Sequence, residues 1–529
     1  MTITMGKLAG RPPAALAQSA PRLALRLAPL AAAAMLLAGE CRADWRVQPI
    51  IGVSGTFTDN VSRTDDSRAH SQFVTEITPA LVLFGKGRRF EVAASGQARQ
   101  YAYSNGKVPG TADRVYDYGL NGRGELVEDL LFVEASASSS PQSISAFGQQ
   151  SNSSLYALGN RAQVKTWRVS PYLTQRLGNT ALVSVRYARD SVNSDINSFG
   201  NSVGDSVLAS LTSGKSFDAL GWGLTYTRQD LTSAIGGDSS SESASGNLRY
   251  ALNKRFWLTA NAGYDRYDYQ ALGGRTEGRN WAAGIDWTPS QRSRLSAEIG
   301  RHFYGQTGKL FALHRSRHTV WNISYDDVIT NSRQQFLLPS TIDTAALLDR
   351  LFSATISDPL LRQQAVANYI QQTGLPPSLA DSVNYLSNRY LREKRLQASS
   401  AYTKGRSSGV LTLYRTERTA LSDQQSDSEL LGSQLSSLND NVHQKGASLT
   451  YNYRMNSRTS VLATAVFSRS LSQTTGYESS NRELRAGLTR QLGNNLRGAV
   501  ELRNMRGGLG PTAGNYRENA VSASLTFQL

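Results

Sequence analysis

The last eleven residues, Asn519-Ala-Val-Ser-Ala-Ser-Leu-Thr-Phe-Gln-Leu529, alternate strictly: Val521, Ala523, Leu525, Phe527 and Leu529 are apolar, while Ser522, Ser524, Thr526 and Gln528 are polar. Period two marks a strand with one apolar and one wet face. A single strand of this kind would fit the edge of a soluble sandwich. Many of them behind an export signal fit a closed barrel, with lipid outside, a polar lumen inside and the last strand paired with the first.

The export signal stands at the other end of the chain. Lys7, Arg11, Arg22 and Arg26 precede the apolar run Leu27-Ala-Pro-Leu-Ala-Ala-Ala-Ala-Met-Leu-Leu-Ala38, which is followed by Glu40-Cys-Arg-Ala43. Charge, length and the small residue at the cut predict a cleavable signal peptide over residues 1–43. A membrane helix needs roughly 20 apolar residues, and this run is shorter. A lipid-modified cysteine wants a small residue before it, whereas Cys41 follows Glu40, so cleavage after Ala43 is favoured. Cys41 is the only cysteine, and its removal leaves no disulfide, thiol nucleophile or cysteine metal ligand.

A chain of 529 residues would ordinarily divide into several soluble domains, but a barrel grows around its circumference and escapes that limit. A hydrophobic content of 40% and a mean hydropathy of −0.37 are too polar for a bundle of membrane helices. They suit strands that meet lipid at every second residue. Residues 44–529 are therefore read as one antiparallel, all-β, transmembrane barrel.

Strands and turns follow in order. Trp45, Val47, Ile51, Val53 and Phe57 share a register; Thr58–Arg68 is a polar loop; Phe73–Phe84 and Arg89–Tyr103 flank the tight turn Gly85-Lys-Gly87. Tyr116–Phe132 reads as one strand. Trp167–Leu177 turns at Gly178-Asn179 into Ala181–Tyr187, and a loop covers Ser191–Asp205. Phe217–Tyr226, Ala244–Leu252, Phe256–Tyr269, Trp281–Trp287, Leu295–Tyr304 and Thr319–Val328 continue the pattern. After an interruption come Lys394–Tyr402, Ser408–Tyr414, Ala447–Tyr453, Val461–Phe467, Glu483–Leu488 and Leu496–Leu502. The count is about 18 strands within a range of roughly 16–20, since single-chain bacterial barrels have an even number. Alternation of long and short connections fails around Glu134–Gly159 and across the interruption.

That interruption, Thr341–Arg389, has the marks of a small helical insertion. Asp358 caps a helix opened by Pro359 and closed by Gly374, with Leu361, Ala365 and Tyr369 on one face, and Ser378 with Asp381 starts another. Its single weak apolar stripe cannot face lipid, so it is expected as a lumenal plug or a periplasmic cap.

Aromatic residues near strand ends, namely Tyr101, Tyr103, Tyr116, Tyr118, Trp222, Tyr226, Tyr264, Tyr267, Tyr269, Trp281, Trp287, Trp321 and Tyr325, predict girdles at the lipid headgroups. Removing the signal leaves 52 basic and 40 acidic residues, a net charge of +12. The arginines are scattered, without a recognition helix or module, and the chain is exported; nucleic acid is not an expected partner. Arginines flanking turns can meet lipid phosphates, and lumenal ones can attract an anionic solute.

Chemistry is sparsely marked. His70, His302, His314, His318 and His443 form no close ligand set, and His314 with His318 lies where loop enters strand. No elbow motif singles out a serine nucleophile. Glu125, Glu128, Asp129 and Glu134 form an acidic patch without an assignable substrate. No catalytic, cofactor-binding or metal site is assigned, and no cofactor is expected.

Trp45-Arg-Val-Gln-Pro49, Thr58-Asp-Asn60, Phe73-Val-Thr-Glu-Ile-Thr-Pro79, Trp167-Arg-Val-Ser-Pro-Tyr172, Trp287-Thr-Pro289, Gly300-Arg-His-Phe-Tyr304, Tyr325-Asp-Asp-Val-Ile-Thr330 and Gln334-Gln-Phe-Leu337 together resemble the outer-membrane proteins associated with bacterial PEP-CTERM protein-sorting and exopolysaccharide systems. The resemblance runs from Trp45 to the C-terminus. It implies a large barrel in the bacterial outer membrane that assists exopolysaccharide export, with lipid, the barrel-assembly machinery, exopolysaccharide and export proteins as partners. It brings no catalytic residues. Leu529 departs from the terminal aromatic residue common in such barrels, although Phe527 keeps the register. A general porin, a barrel enzyme acting on lipid or polysaccharide, and a noncatalytic assembly scaffold are the alternatives.

Overall fold

The computed structural model describes residues 44–150, 156–196, 201–234, 238–269, 272, 276–337, 385, 387, 389–422, 436–511 and 513–529. The signal peptide and most of the 341–389 block lie outside the described residues. Twenty-two antiparallel strands form one sheet. They are β1 (Asp44–Thr58), β2 (Gln72–Lys86), β3 (Phe90–Tyr103), β4 (Arg114–Val127), β5 (Leu131–Ser143), β6 (Arg161–Leu177), β7 (Ala181–Ser194), β8 (Ser202–Ser213), β9 (Leu220–Ser233), β10 (Ser239–Asn253) and β11 (Phe256–Asp268). The second half comprises β12 (Glu277–Ser290), β13 (Ser293–His302), β14 (Gly305–Arg315), β15 (Thr319–Asn331), β16 (Tyr390–Lys404), β17 (Ser407–Ala420), β18 (Asn441–Arg454), β19 (Thr459–Ser472), β20 (Glu478–Gln491), β21 (Leu496–Gly508) and β22 (Asn515–Gln528). Among the described residues a short α-helix, α1 (Ser332–Leu337), follows β15.

Each strand pairs with the next in sequence. β22 returns to β1, with Leu525 opposite Val53 and Val521 opposite Phe57. The sheet closes on itself, as a hydrocarbon surrounding demands of backbone N–H and C=O groups. Closure of the first strand on the last is the arrangement expected from the terminal alternation. The count of about 18 is corrected to 22: the stretch Tyr116–Phe132 spans the end of β4 and the start of a separate β5, the loop-like Ser191–Asp205 contains the start of β8, and β14 follows β13 directly after Tyr304.

Short turns gather at one end of the barrel, together with the start of β1 and the end of β22. One of them, after β6, uses Gly178 at φ 58°, a left-handed conformation that suits glycine. The other end carries the connections 59–71, 104–113, 144–160, 332–389 and 421–440. In an outer-membrane barrel the short turns face the periplasm, so both attachments of the 332–389 segment stand at the outer rim. That places its stems away from a periplasmic cap.

Side chains alternate across the wall. On β1 and β22, Trp45, Val47, Val53, Phe57, Val521 and Leu525 are exposed on the outer surface, while Thr56, Thr58 and Glu518 are buried on the inner face. From Trp45 to Phe57 the outer band runs roughly 40 Å along a strand, or about 28 Å across a bilayer at a tilt near 45°. Tyr116, Tyr118, Tyr264, Trp281, Trp287 and Trp321 face outward as girdle residues should. Tyr101, Tyr103, Tyr267 and Tyr269 take the opposite parity and point inward; strand-end position alone misassigned them to the girdle.

One seam is irregular. β14 pairs with β15 only from Lys309 opposite Asp326 downward, so β15 above that point is laddered on one side alone. Arg392 fills the gap, gripping Asp327 with two hydrogen bonds of 2.8 Å and donating to the carbonyls of Tyr304 and Gln306 at 3.2 and 2.6 Å.

The parity of the wall yields a direct test. Leu525→Arg places a charge in lipid and should cost about 2–4 kcal/mol, whereas Ser524→Arg, facing the lumen, should cost far less. Urea unfolding of the vesicle-embedded protein reads the difference; equal losses would contradict the assigned faces.

Candidate functional site

A barrel of 22 strands tilted by about 40° has a mean diameter of roughly 40 Å, too wide for side chains to fill. Whatever the lumen does therefore depends on chain that folds across it. The buried apolar clusters seen among the described residues lie at the outer mouth. One joins Val61, Tyr101, Ala112, Val115, Tyr156 and Ala157 from neighbouring connections and strands. A second packs Phe147, from the β5–β6 connection, against Tyr385, Leu438 and Val442. A third sets Phe336 and Leu337 of α1 against Ala162, Val164 and Val192 on β6 and β7. The last two contacts join elements nearly opposite one another around the barrel, so the mouth is bridged.

Ion pairs fasten these bridges. Glu518, on the inner face of β22, is the hub of one network: Arg63 Nε donates at 2.7 Å, Arg503 at 2.8 Å, Tyr156 Oη at 2.6 Å and Thr58 Oγ1 at 3.0 Å. All of these groups are buried. Arg63 adopts φ 53°, an uncommon backbone state for a side chain of this size, in the loop that directs its guanidinium inward. Burial pushes the Tyr156 phenol up to about 12, with Glu518 adding to the effect. For Arg63, burial opposes the charge but the Glu518 carboxylate outweighs it, and the pKa is raised.

Across the lumen, Arg333 of α1 pairs with Asp190 on β7 and donates to Ser202 on β8 at 2.8 Å. Arg389 pairs with Asp440, and Arg418 with Glu393 at 2.6 Å. Gln335 also donates to Glu393 at 2.9 Å. Several arginines thus point inward and are matched with acids. The acidic patch read from the sequence separates: Glu128 pairs with Arg89 at a periplasmic turn, while Glu134 reaches Arg186 in the lumen at 2.6 Å.

The lumen wall has two characters. Asn247 and Arg249 on β10 stand exposed. On β17 and β18, Thr412, Thr416 and Gln444 are buried, and their side chains find no hydrogen-bond partner among the described residues. They belong to a ladder of inward pairs: Thr416 faces Gln444, Thr412 faces Ser448, and Ser408 faces Asn452. Gly446 opposes Tyr414, and a Cβ on Gly446 would come within 2.5 Å of the phenol. Glycine lets that ring lie over the wall. Buried groups with unmet capacity on this scale call for water or a polar ligand.

The histidines remain separate. His302 Nδ1 bonds Asp265 at 2.7 Å, and Ser243 Oγ donates to the same carboxylate at 2.8 Å. The acid therefore stands between serine and imidazole; nucleophilic activation would need serine to donate to the imidazole. His314 bonds Ser293, and His318 lies near the carbonyl of Thr403 at 3.2 Å. No group of three metal-ligating side chains occurs among the described residues.

No family model and no curated protein matches the chain. Among solved structures it is similar to the siderophore receptor PirA from Pseudomonas aeruginosa, at 12% identity over 92% of this chain and 80% of that one, with a TM-score of 0.44. It is also similar to the apoprotein form of the FrpB iron transporter from Neisseria meningitidis, at 9% identity over 91% and 81%, with a TM-score of 0.48. Likeness at this level carries no information about cargo. The 22-stranded barrel rests on its own strand pairing, and its closed sheet, apolar belt and polar lumen place it in the bacterial outer membrane.

The Glu518 hub is testable. Glu518→Gln leaves Arg63 and Arg503 buried without their counter-charge and should cost about 3–5 kcal/mol. Urea unfolding in vesicles measures the loss, and a cost well under about 1 kcal/mol would mean the hub does not secure the mouth.

Proposed function

We propose that this outer-membrane barrel is a gated conduit, and that its cargo is an exopolysaccharide chain leaving the cell. The observation that carries the gated reading is the bridging of the outer mouth from nearly opposite walls by α1, Phe147 and their ion pairs. A general porin keeps a water-filled path. Here bridging chain stands in the path and would have to move for a large solute, which suits occasional passage better than steady diffusion of small ones.

The carbohydrate reading is supported by the ladder on β17 and β18. Hydroxyl and amide groups with unmet hydrogen bonds, beside a phenol lying along the wall, match the alternating polar and apolar faces of sugar rings. The resemblance to barrels of exopolysaccharide systems points to the same cargo. A noncatalytic scaffold would share the bridged mouth but has no use for an unsatisfied inner ladder. A barrel enzyme of the serine type would need serine, imidazole and acid in series; Ser243 donates to Asp265 rather than to His302, and the exposed Ser293–His314 pair has no carboxylate bonded to its imidazole among the described residues.

A clean deletion, scored for polymer outside against polymer inside the cell, tests the transport role. Trapped polymer with normal synthesis is the expected result; normal export, with no other barrel able to substitute, would overturn it. Planar-bilayer recording of the purified protein should give low conductance that rises in Arg333→Ala. Broad, steady conductance in the wild type would favour the porin reading.

A further inference from the structure

The outer surface of the barrel is asymmetric in charge just above its apolar belt. Arg415, Lys445, Arg469, Arg482, Arg506 and Arg517 occupy successive strands from β17 to β22, all with outward parity and all exposed. Strand pairing sets them against one another: Arg415 faces Lys445, Lys445 faces Arg469, Arg482 faces Arg506, and Arg506 faces Arg517. Like charges directly opposite in a sheet are destabilising. Two of the six have acids in reach, Arg415 with Glu417 and Arg469 with Glu478. Lys445, Arg482, Arg506 and Arg517 make no ion pair among the described residues, although Arg482 lies 5.7 Å over the Phe467 ring.

The opposite wall provides an internal comparison. At the same level on β7 to β12, three outward arginines are matched by outward acids, Arg189 with Asp205 at 3.5 Å, Arg228 with Asp230 at 3.0 Å and Arg266 with Glu277 at 3.6 Å, while Arg279 stands exposed opposite Tyr264 with no second cation facing it. Outward cations set directly against other cations are thus concentrated on one face. Directly beneath it the wall is hollow. Ala463, Ala465 and Ala486 form the floor of an apolar groove between Leu449, Leu484 and Leu502, with a cavity volume of about 690 Å³.

We propose that the outward face of β17–β22 binds a multiply phosphorylated, multiply acylated glycolipid of the outer leaflet, with its phosphates on the basic belt and acyl chains in the alanine-floored groove. The belt crosses six strands, roughly 24 Å at sheet spacing. That width suits several phosphates carried on one large headgroup better than a single phosphodiester. Arginine pairs bidentately with phosphate, and an anion between facing cations turns their repulsion into attraction. The groove is on the outer-leaflet half of the wall, where chains descending from such a headgroup would enter. The proposal concerns the lipid-facing surface and stands apart from the cargo of the lumen.

The full-length mature protein, delipidated in a neutral detergent, is titrated with bisphosphorylated lipid A, its dephosphorylated form, phosphatidylglycerol and inorganic phosphate, with thermal unfolding as the readout. Bisphosphorylated lipid A should raise the Tm, and the other three should do so weakly or not at all. The variant carrying Lys445→Gln, Arg506→Gln and Arg517→Gln should bind it about tenfold more weakly or worse, whereas a variant carrying Arg189→Gln and Arg228→Gln should bind as wild type does. Without lipid the first variant should melt at or above the wild-type temperature, because like-charge contacts have been removed; that separates lost binding from misfolding. Equal affinity of wild type and the belt variant, or equal stabilisation by phosphatidylglycerol, dephosphorylated lipid or inorganic phosphate, would overturn the assignment.

Discussion

Hydrocarbon offers no hydrogen bonds to a peptide group, and each backbone N–H or C=O left unpaired there costs several kcal/mol. The rest of the structure depends on that constraint. It forces the sheet to close, and closure by hairpins alone makes the strand number even and brings the start of β1 beside the end of β22. The same requirement explains the treatment of the β14–β15 seam. Where the ladder stops, Arg392 supplies donors to the carbonyls of Tyr304 and Gln306 and grips Asp327, so polar groups at the gap find partners in a side chain.

Width has a second consequence. A circumference of 22 strands encloses more space than lining residues can occupy, and the outer connections take up the task a hydrophobic core performs in a soluble domain. Their small apolar clusters are insufficient alone, and buried ion pairs complete them. Such pairs trade desolvation against attraction and yield little net stability over apolar packing. Their geometry is demanding, however. Arg63, Arg503 and Tyr156 all converge on one carboxylate, which fixes three parts of the mouth in a single arrangement. Several arginines that composition alone might assign to an anionic partner are engaged in this way.

Architecture was legible wherever outward residues were large. β1 and β22 alternate Trp, Val, Ile, Leu and Phe against small polar residues, and both were recognised. Two of the missed strands have weaker outer faces, β5 with Ala135 and Ala137 and β14 with Gln306 and Gly308, while on β8 the outward Val207 and Leu211 are interrupted by Asp205 and Ala209. Their turns were also disguised. The turn from β13 to β14 puts two aromatic residues, Phe303 and Tyr304, ahead of its glycine, Gly305 at φ 125°, and the turn after β4 places Asp129 at φ 55°. The mouth was illegible for another reason. Glu518 meets Arg63 across 455 positions, and no local pattern marks two residues that meet only when the barrel closes. The inward direction of Tyr101 and Tyr267 could have been read by carrying parity along β3 and β11, since each strand's apolar register already named the opposite face.

Pairing of β22 with β1 also imposes an order in time. Until the C-terminal strand arrives, the N-terminal strand has an unsatisfied edge, a ready template for aggregation. A chain leaving the ribosome from its N-terminus cannot complete this sheet during synthesis, because the partner of Val53 is Leu525. Contacts at such separation are slow to form. The polypeptide must therefore be kept from premature pairing throughout its journey to the membrane, and its final residues act as the latch that ends its dependence on an escort.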